Sequence, residues 1–175
     1  MPEAYYDRYF PALKRLGFTR TSEAEYYNCI AYAAGDIERR WWPDQFPPGS
    51  RDYWPLPLTN PPDERVETFI AAFATQGYVP CENARHEPGY EKVAYYAEGE
   101  TVRHAAKQHE DGAWRSKLGP DEDIEHTLEG LEGWFYGRVV AILRRPIPRT
   151  EQIASPPIGM LRRLIALLVM RFRKG

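Results

Sequence analysis

The sequence predicts one α+β domain in which helices come first and an antiparallel sheet follows. Before Gly77 the apolar residues recur at helical spacing, and from Tyr90 onward the spacing changes to that of strands. Short turns separate the later segments, and Asp111-Gly112 is the strongest hairpin signal among them. Helices followed by strands that are joined through short turns are typical of the α+β class.

The first two predicted helices are short. Residues 5–16 carry apolar side chains along one face of the first helix. Ser22 and Glu25 lie three residues apart and fit a capping box for the second helix, and Gly35 fits its C-terminal cap. We therefore expect Cys29 in the first turns of a short buried helix.

A third helix is predicted between Asp63, which fits its N-terminal cap, and Gly77. A Pro-rich segment, residues 39–62, precedes this helix and carries three tryptophans. Tryptophan needs burial, so the segment either packs its own rings over the core or forms one wall of a substrate cleft. Its tryptophans are Trp41, Trp42 and Trp54.

Four strands are predicted in the second half of the chain, at residues 91–97, 101–108, 113–118 and 136–145. The acidic stretch 121–131 is expected to form a short helix or a turn. His104 lies near the middle of the second strand and is expected to share one face with Val102 and Ala106.

The sequence divides into residues 1–146, the α+β domain, and residues 147–175, a Pro-rich linker with a basic amphipathic helix. The apolar run 164–170 inside this helix is far shorter than the roughly 20 residues that span a bilayer. Helix 158–173 is therefore expected to dock on its own domain or a second copy, or to lie on an anionic membrane surface or a partner protein.

Composition excludes several function classes. The net charge is -2, and no basic stripe, glycine-rich phosphate loop or metalloprotease motif occurs, so we expect no nucleic-acid partner and no cofactor. The polar, acidic N-terminus lacks the features of a signal peptide, which predicts a reducing cytoplasm and two free thiols. A disulfide between Cys29 and Cys81 is the alternative for the thiols. A metal site from these two cysteines with His86 and His104 lacks paired C-x-x-C spacing, so none is expected.

Cys29 and His104 are the candidate nucleophile and base. The helix dipole and the free N–H groups at a helix start favour a thiolate. A hydrolase needs the base close to the nucleophile in space, and a strand of the following sheet is a suitable position for it. The alternatives are that Cys29 is an inert apolar residue of a core helix and that His104 is structural.

The order of these residues resembles the papain-like superfold: a cysteine at a helix start, a histidine on a strand, an Asp-Gly hairpin and a polar residue on the next strand. More narrowly, it is similar to the NlpC-type and CHAP-type amidohydrolases. The resemblance implies that Cys29 is the nucleophile, that His104 is the base and that Ser116 occupies the orienting position. Members of these families usually have His, Asn, Gln, Asp or Glu at that position.

Residues 9–146 also resemble a family of bacterial proteins known only as a domain of unknown function, which implies no activity. The matching stretches include 27–36 (YNCIAYAAGD), 104–108 (HAAKQ), 116–119 (SKLG) and 123–126 (DIEH).

These observations predict a cysteine-dependent hydrolase, amidase- or peptidase-like, that acts on an amide or ester. The substrate cleft is assigned to Asn28, Trp41, Trp42, Trp54 and Trp114. The alternative is a non-catalytic binding or interaction module on the same fold with a degraded site and a protein partner. The serine at position 116 favours this alternative.

Overall fold

The computed structural model describes residues 3–22, 26–119 and 122–147. The predicted helix 158–173 lies outside these residues. The helices are α1 (Glu3–Tyr9), α2 (Pro11–Leu16), α3 (Cys29–Ala34) and α4 (Val66–Ala74), with a 3-10 turn at Leu128–Gly130. The strands are β1 (Phe18–Ser22), β2 (Arg40–Trp41), β3 (Asp52–Tyr53), β4 (Val79–Cys81), β5 (Tyr90–Glu98), β6 (Thr101–Gln108), β7 (Trp114–Lys117), β8 (Asp123–His126) and β9 (Arg138–Pro146).

Seven strands form one sheet in the order β1-β8-β7-β6-β5-β9-β4, and all neighbours in it are antiparallel. Strands β2 and β3 form a separate parallel ladder of two residues each. The predicted mixture of helices with a large antiparallel sheet is confirmed. The expected helix or turn at 121–131 is wrong in its first half, because residues 123–126 form β8, which pairs with β7 and β1 on its two sides.

Both faces of the central sheet are buried. Val93 and Tyr95 of β5 enter a first core, which contains α3, α4 and the tryptophan segment. Ala94 and Tyr96 alternate with them and enter a second core, which contains residues of α1 and α2. This alternation follows from the two-residue period of a strand, and it means that a side chain on β5 or β6 belongs to one core or the other.

The start of α3 differs from the sequence prediction. Asn28, not Ser22, is the N-terminal cap, and its side-chain oxygen accepts a hydrogen bond from the N–H of Ala31 at 3.1 Å. Ser22 instead ends β1. The helix ends as predicted at Gly35, which has the left-handed backbone conformation (φ 84°) of a C-terminal cap. Cys29 is therefore the first residue of α3.

Candidate ligand site

A cavity of about 350 Å³ lies beside the first residue of α3. Its lining consists of Tyr26, Tyr27, Asn28, Cys29, Arg40, Trp42 and Gly119. The structure thus brings three of the predicted site residues together, Cys29, Asn28 and Trp42. The remaining lining residues are aromatic, small or basic.

Asn28 fixes one wall of this cavity. Its side-chain oxygen accepts hydrogen bonds from the N–H groups of Ala31 and Trp41, both at 3.1 Å, and its amide nitrogen donates to the carbonyl of Trp41 at 2.8 Å. One side chain therefore holds the start of α3 against β2. Trp42 is held similarly, because its indole N–H donates to Glu64 at 2.8 Å.

We expect Asn28→Ala to lower the free energy of unfolding by about 2 kcal/mol, because the helix loses its cap and the link to Trp41 is broken. Asn28→Asp is the matched control. It keeps the acceptor for the two N–H groups and should lose less than the alanine variant. Urea unfolding followed by circular dichroism measures both, and equal losses would contradict the capping role.

Cys29 is a buried thiol that is kept protonated. Backbone N–H groups of Ala105, Ile30 and Cys29 itself face the sulfur and lower its pKa, but burial has the larger effect and raises the pKa to about 11. At pH 7 the thiolate is then on the order of one molecule in ten thousand. The expected activated thiolate at the helix start is therefore opposed by burial.

The structure does not bring Cys29 and His104 together. The His104 ring faces the second core and stacks on Tyr136 with centroids 4.1 Å apart, whereas the adjacent Ala105 lies in the first core with Cys29. Neither ring nitrogen of His104 has a hydrogen-bond partner, so His104 makes no hydrogen bond to the Cys29 sulfur. Burial also lowers the pKa of His104 well below 6.5, which keeps the ring neutral.

A bulge in β6 overturns a second expectation about His104, the face that it shares with its strand neighbours. Arg103 is an extra residue opposite β5, and it breaks the alternation of the strand. Val102 consequently belongs to the first core, while Ala106 belongs to the second core, which His104 faces. The predicted common face of Val102, His104 and Ala106 is wrong for Val102.

Ser116 does not orient His104. Its hydroxyl lies 2.9 Å from Nε2 of His126, and Nδ1 of His126 lies 2.8 Å from the carbonyl oxygen of Thr127. The carbonyl can only accept, so Nδ1 carries the proton and Nε2 accepts from the serine. Ser116 is fully buried and His126 nearly so, which makes the pair a satisfied hydrogen bond inside the second core.

Three of the five residues assigned to the substrate cleft lie elsewhere. Trp41 is buried, with its indole N–H on Asp36 at 2.7 Å. Trp54 packs on Phe69 with ring centroids 5.0 Å apart. Trp114 lines a separate, larger cavity of about 680 Å³ together with His126 and residues of β1.

The structure also reveals a charged layer behind the cavity that the sequence prediction missed. The hydroxyls of Tyr27 and Ser22 donate to Oδ2 of Asp123 at 2.6 and 2.8 Å, while Oδ1 of Asp123 is buried without a hydrogen-bond partner. Lys117 lies directly opposite Asp123 in the β7–β8 ladder, is fully buried and places its ammonium 5.0 Å from the centroid of the Tyr27 ring. The available signal was the alternation of Asp123-Ile124-Glu125-His126, which is that of a strand.

The four side chains of the alternative metal site do not form one. Among the described residues, no group of three or more His, Cys, Asp or Glu side chains is arranged to hold a metal ion. Both Cys29 and Cys81 are free thiols, so the alternative disulfide is absent. In the described parts of the chain, no helix has the length and apolarity needed to cross a bilayer.

Fold and cavity together define an α+β protein with a small, partly aromatic cavity at the start of a buried helix. The family model "Domain of unknown function (DUF7689)" matches residues 19–144. The chain therefore belongs to this family, which is consistent with the expected membership of a family of unknown function. No curated protein and no solved structure matches the chain.

Proposed function

We propose that the protein is a non-catalytic binding module whose ligand occupies the cavity beside Cys29. The observation that supports this best is a cavity wall held by hydrogen bonds next to a thiol whose pKa is raised by burial. Asn28 and Trp42 are held by hydrogen bonds to Trp41 and Glu64, so the walls are formed before a ligand arrives. Preformed, mostly apolar cavities with a few fixed polar groups are typical of small-molecule sites.

The chemistry around the sulfur supports binding over catalysis. A nucleophilic thiol needs a lowered pKa or an adjacent base, and burial raises the pKa of Cys29 to about 11. His104 has no hydrogen bond at either ring nitrogen, and the ring nitrogens of His126 are used by Ser116 and Thr127. Cys29 then serves as a wall of the cavity.

A cysteine amidohydrolase on a papain-like fold is the second candidate function. The observation in its favour is the position of Cys29, which is the first residue of a helix and lines an open cavity. In that case a thiolate would add to an amide or ester carbonyl and expel the amine or alcohol, which takes a proton from a general acid, and water would then hydrolyse the acyl-thioester. The group that transfers these protons would have to come close on ligand binding. The binding module and the hydrolase require different protonation states of the Cys29 sulfur, and this difference can be measured.

Alkylation by iodoacetamide distinguishes them. Cys81→Ser leaves only Cys29 to react, and Cys29→Ser leaves only Cys81, which is the matched control. For a binding module, Cys29 should react at least 100-fold more slowly than Cys81 at pH 7, and its rate should rise tenfold per pH unit up to pH 9.5 without a plateau. Fast reaction of Cys29 with a midpoint well below pH 8 would favour the hydrolase instead.

A fragment screen followed by ¹⁵N NMR tests the binding half of the proposal. Fragments that bind should shift the amide signals of residues 26–29, 40–42 and 119, which surround the cavity. Binding that is confined to the larger cavity near Trp114, or no binding by any fragment, would overturn the proposed site.

A further inference from the structure

We propose that the ligand of this cavity is a small planar molecule that carries an anionic group, a carboxylate or a phosphate, and that Arg40 binds this group. The inference rests on the proposed function, because it specifies the ligand class of the same cavity. Three observations carry it: the charge of the lining, the weak pairing of Arg40 and the arrangement of the rings.

The charge of the lining is positive. Arg40 is the one charged side chain among the seven lining residues within the described part of the chain. The nearby carboxylates are engaged: Asp52 pairs with Arg40, Glu64 accepts from the Trp42 indole, and Oδ2 of Asp123 accepts from Tyr27. Among the described residues no carboxylate lines the cavity, so a ligand meets a guanidinium there.

Arg40 is available for a stronger partner. Within the described residues its ion pair is with Asp52 at 3.5 Å, at the long end of the range, and its side chain is 46% exposed. Pairs of this kind contribute little to stability. A planar guanidinium forms two parallel hydrogen bonds with a carboxylate or phosphate, which are shorter and stronger than such a pair. Arg40 also lowers the pKa of Cys29 electrostatically, so its positive charge acts at the cavity wall.

The rings provide flat surfaces for the rest of the ligand. Trp42 is held by its bond to Glu64 and by an edge contact with Phe69, with centroids 5.4 Å apart. Tyr26 is 48% exposed, and because the Arg51 guanidinium lies over one face of its ring, 5.3 Å from the centroid, the opposite face is the one left for a ligand. A volume of about 350 Å³ lies at the lower end of the range of small-molecule sites. Stacking on such rings favours a planar ligand.

Two isosteric probes test the inference in the wild-type protein. Indole-3-carboxylate carries the anionic group, and indole-3-carboxamide is its neutral counterpart. ¹⁵N NMR titrations should show that the carboxylate binds at least tenfold more tightly, with shifts at residues 26–29 and 40–42. 3-Indoxyl phosphate, which keeps the indole ring, distinguishes the two anion classes, since tighter binding than the carboxylate identifies a phosphate ligand and weaker binding a carboxylate ligand.

Three variants assign the effect to the cavity. Arg40→Gln should reduce the preference for the carboxylate to less than twofold, and Tyr26→Ala should weaken both probes alike. Arg103→Gln is the control, because Arg103 is an exposed arginine paired with Glu98 at 3.3 Å and should leave both affinities unchanged. Circular dichroism and the melting temperature show that each variant is folded.

Equal binding of the two indole probes, or a preference that survives Arg40→Gln, would overturn the anionic ligand while the binding module stands. If none of the three probes changes the chemical shifts of the residues around the cavity, the anionic ligand is also overturned. The proposed binding module itself is overturned only if the fragment screen detects no binding at this cavity.

Discussion

Replacing Gly137 with alanine should lower the free energy of unfolding by at least about 4 kcal/mol, more than an ordinary surface substitution. A Cβ at this position would lie 1.9 Å from the carbonyl oxygen and 2.4 Å from the carbonyl carbon of Ala97. Both are backbone atoms of β5 that no rotamer change can move. Gly137 also has a φ of +78° and exchanges two backbone hydrogen bonds with Gly133, at 2.7 and 2.8 Å.

Gly89→Ala is the matched control for this prediction. Gly89 has nearly the same backbone angle, a φ of +82°, but a Cβ there would meet nothing within 4 Å. The Gly89→Ala variant should lose only about 1 kcal/mol of unfolding free energy, which is the conformational cost of alanine in the left-handed region. The difference between the two variants in guanidinium unfolding isolates the steric contact. If Gly137→Ala is unfolded in buffer, trimethylamine N-oxide restores a measurable transition. Similar losses of unfolding free energy in both variants would contradict the close approach of position 137 to the Ala97 carbonyl.

Local signals predicted the central part of the fold. Strands β5, β6 and β7 are neighbours in the sheet and are joined by turns at Gly99 and Gly112, so their pairing depends on short-range sequence. Strand β1 was missed because it pairs with residues about 100 positions away and exposes four of its five side chains, whereas β8 was missed although its own alternation is that of a strand. A short polar strand is stabilised by pairing with neighbouring strands, and its own sequence pattern does not show which strands these are.

Part of the candidate site was also predicted from local signals. Asn28, Cys29 and Trp42 are near one another in sequence, and the start of α3 is a local feature, so they meet at the cavity. The pairing of Cys29 with His104 depended on which face of the sheet α3 covers. That choice is made by tertiary packing, and the bulge at Arg103 alters the alternation that the prediction used.

The unfolding free energy should fall steeply as the pH is lowered from 6.5 to about 4, because two histidines are buried in neutral form. Burial lowers the pKa of His126 to about 4 and the pKa of His104 well below 6.5. Unfolded imidazoles titrate near pH 6.5. Between that pH and the folded pKa values the unfolded state binds more protons, so their contribution to stability is complete above pH 6.5 and is lost as the pH falls. His126 alone accounts for about 3 kcal/mol.

His104→Phe should flatten this pH dependence between pH 5 and 6 by at most about 1.4 kcal/mol per pH unit, the largest slope that one such histidine contributes. Carboxylates do not interfere, since unfolded Asp and Glu titrate below this window. Phenylalanine can keep the stacking on Tyr136, and it removes two buried nitrogens that lack hydrogen-bond partners. Stability at pH 7.5 should therefore be retained or increased.

His126→Phe is the informative contrast, because it removes the same titratable group at a histidine whose hydrogen bonds are satisfied. It should flatten the pH dependence as well, but it leaves the buried Ser116 hydroxyl without its partner and should lose about 1 to 3 kcal/mol at pH 7.5. Urea unfolding at pH 5, 6 and 7.5 measures both variants. An unchanged slope in His104→Phe would contradict this prediction. It would mean that the folded protein accommodates an imidazolium at position 104, although burial without hydrogen-bond partners should exclude that charge.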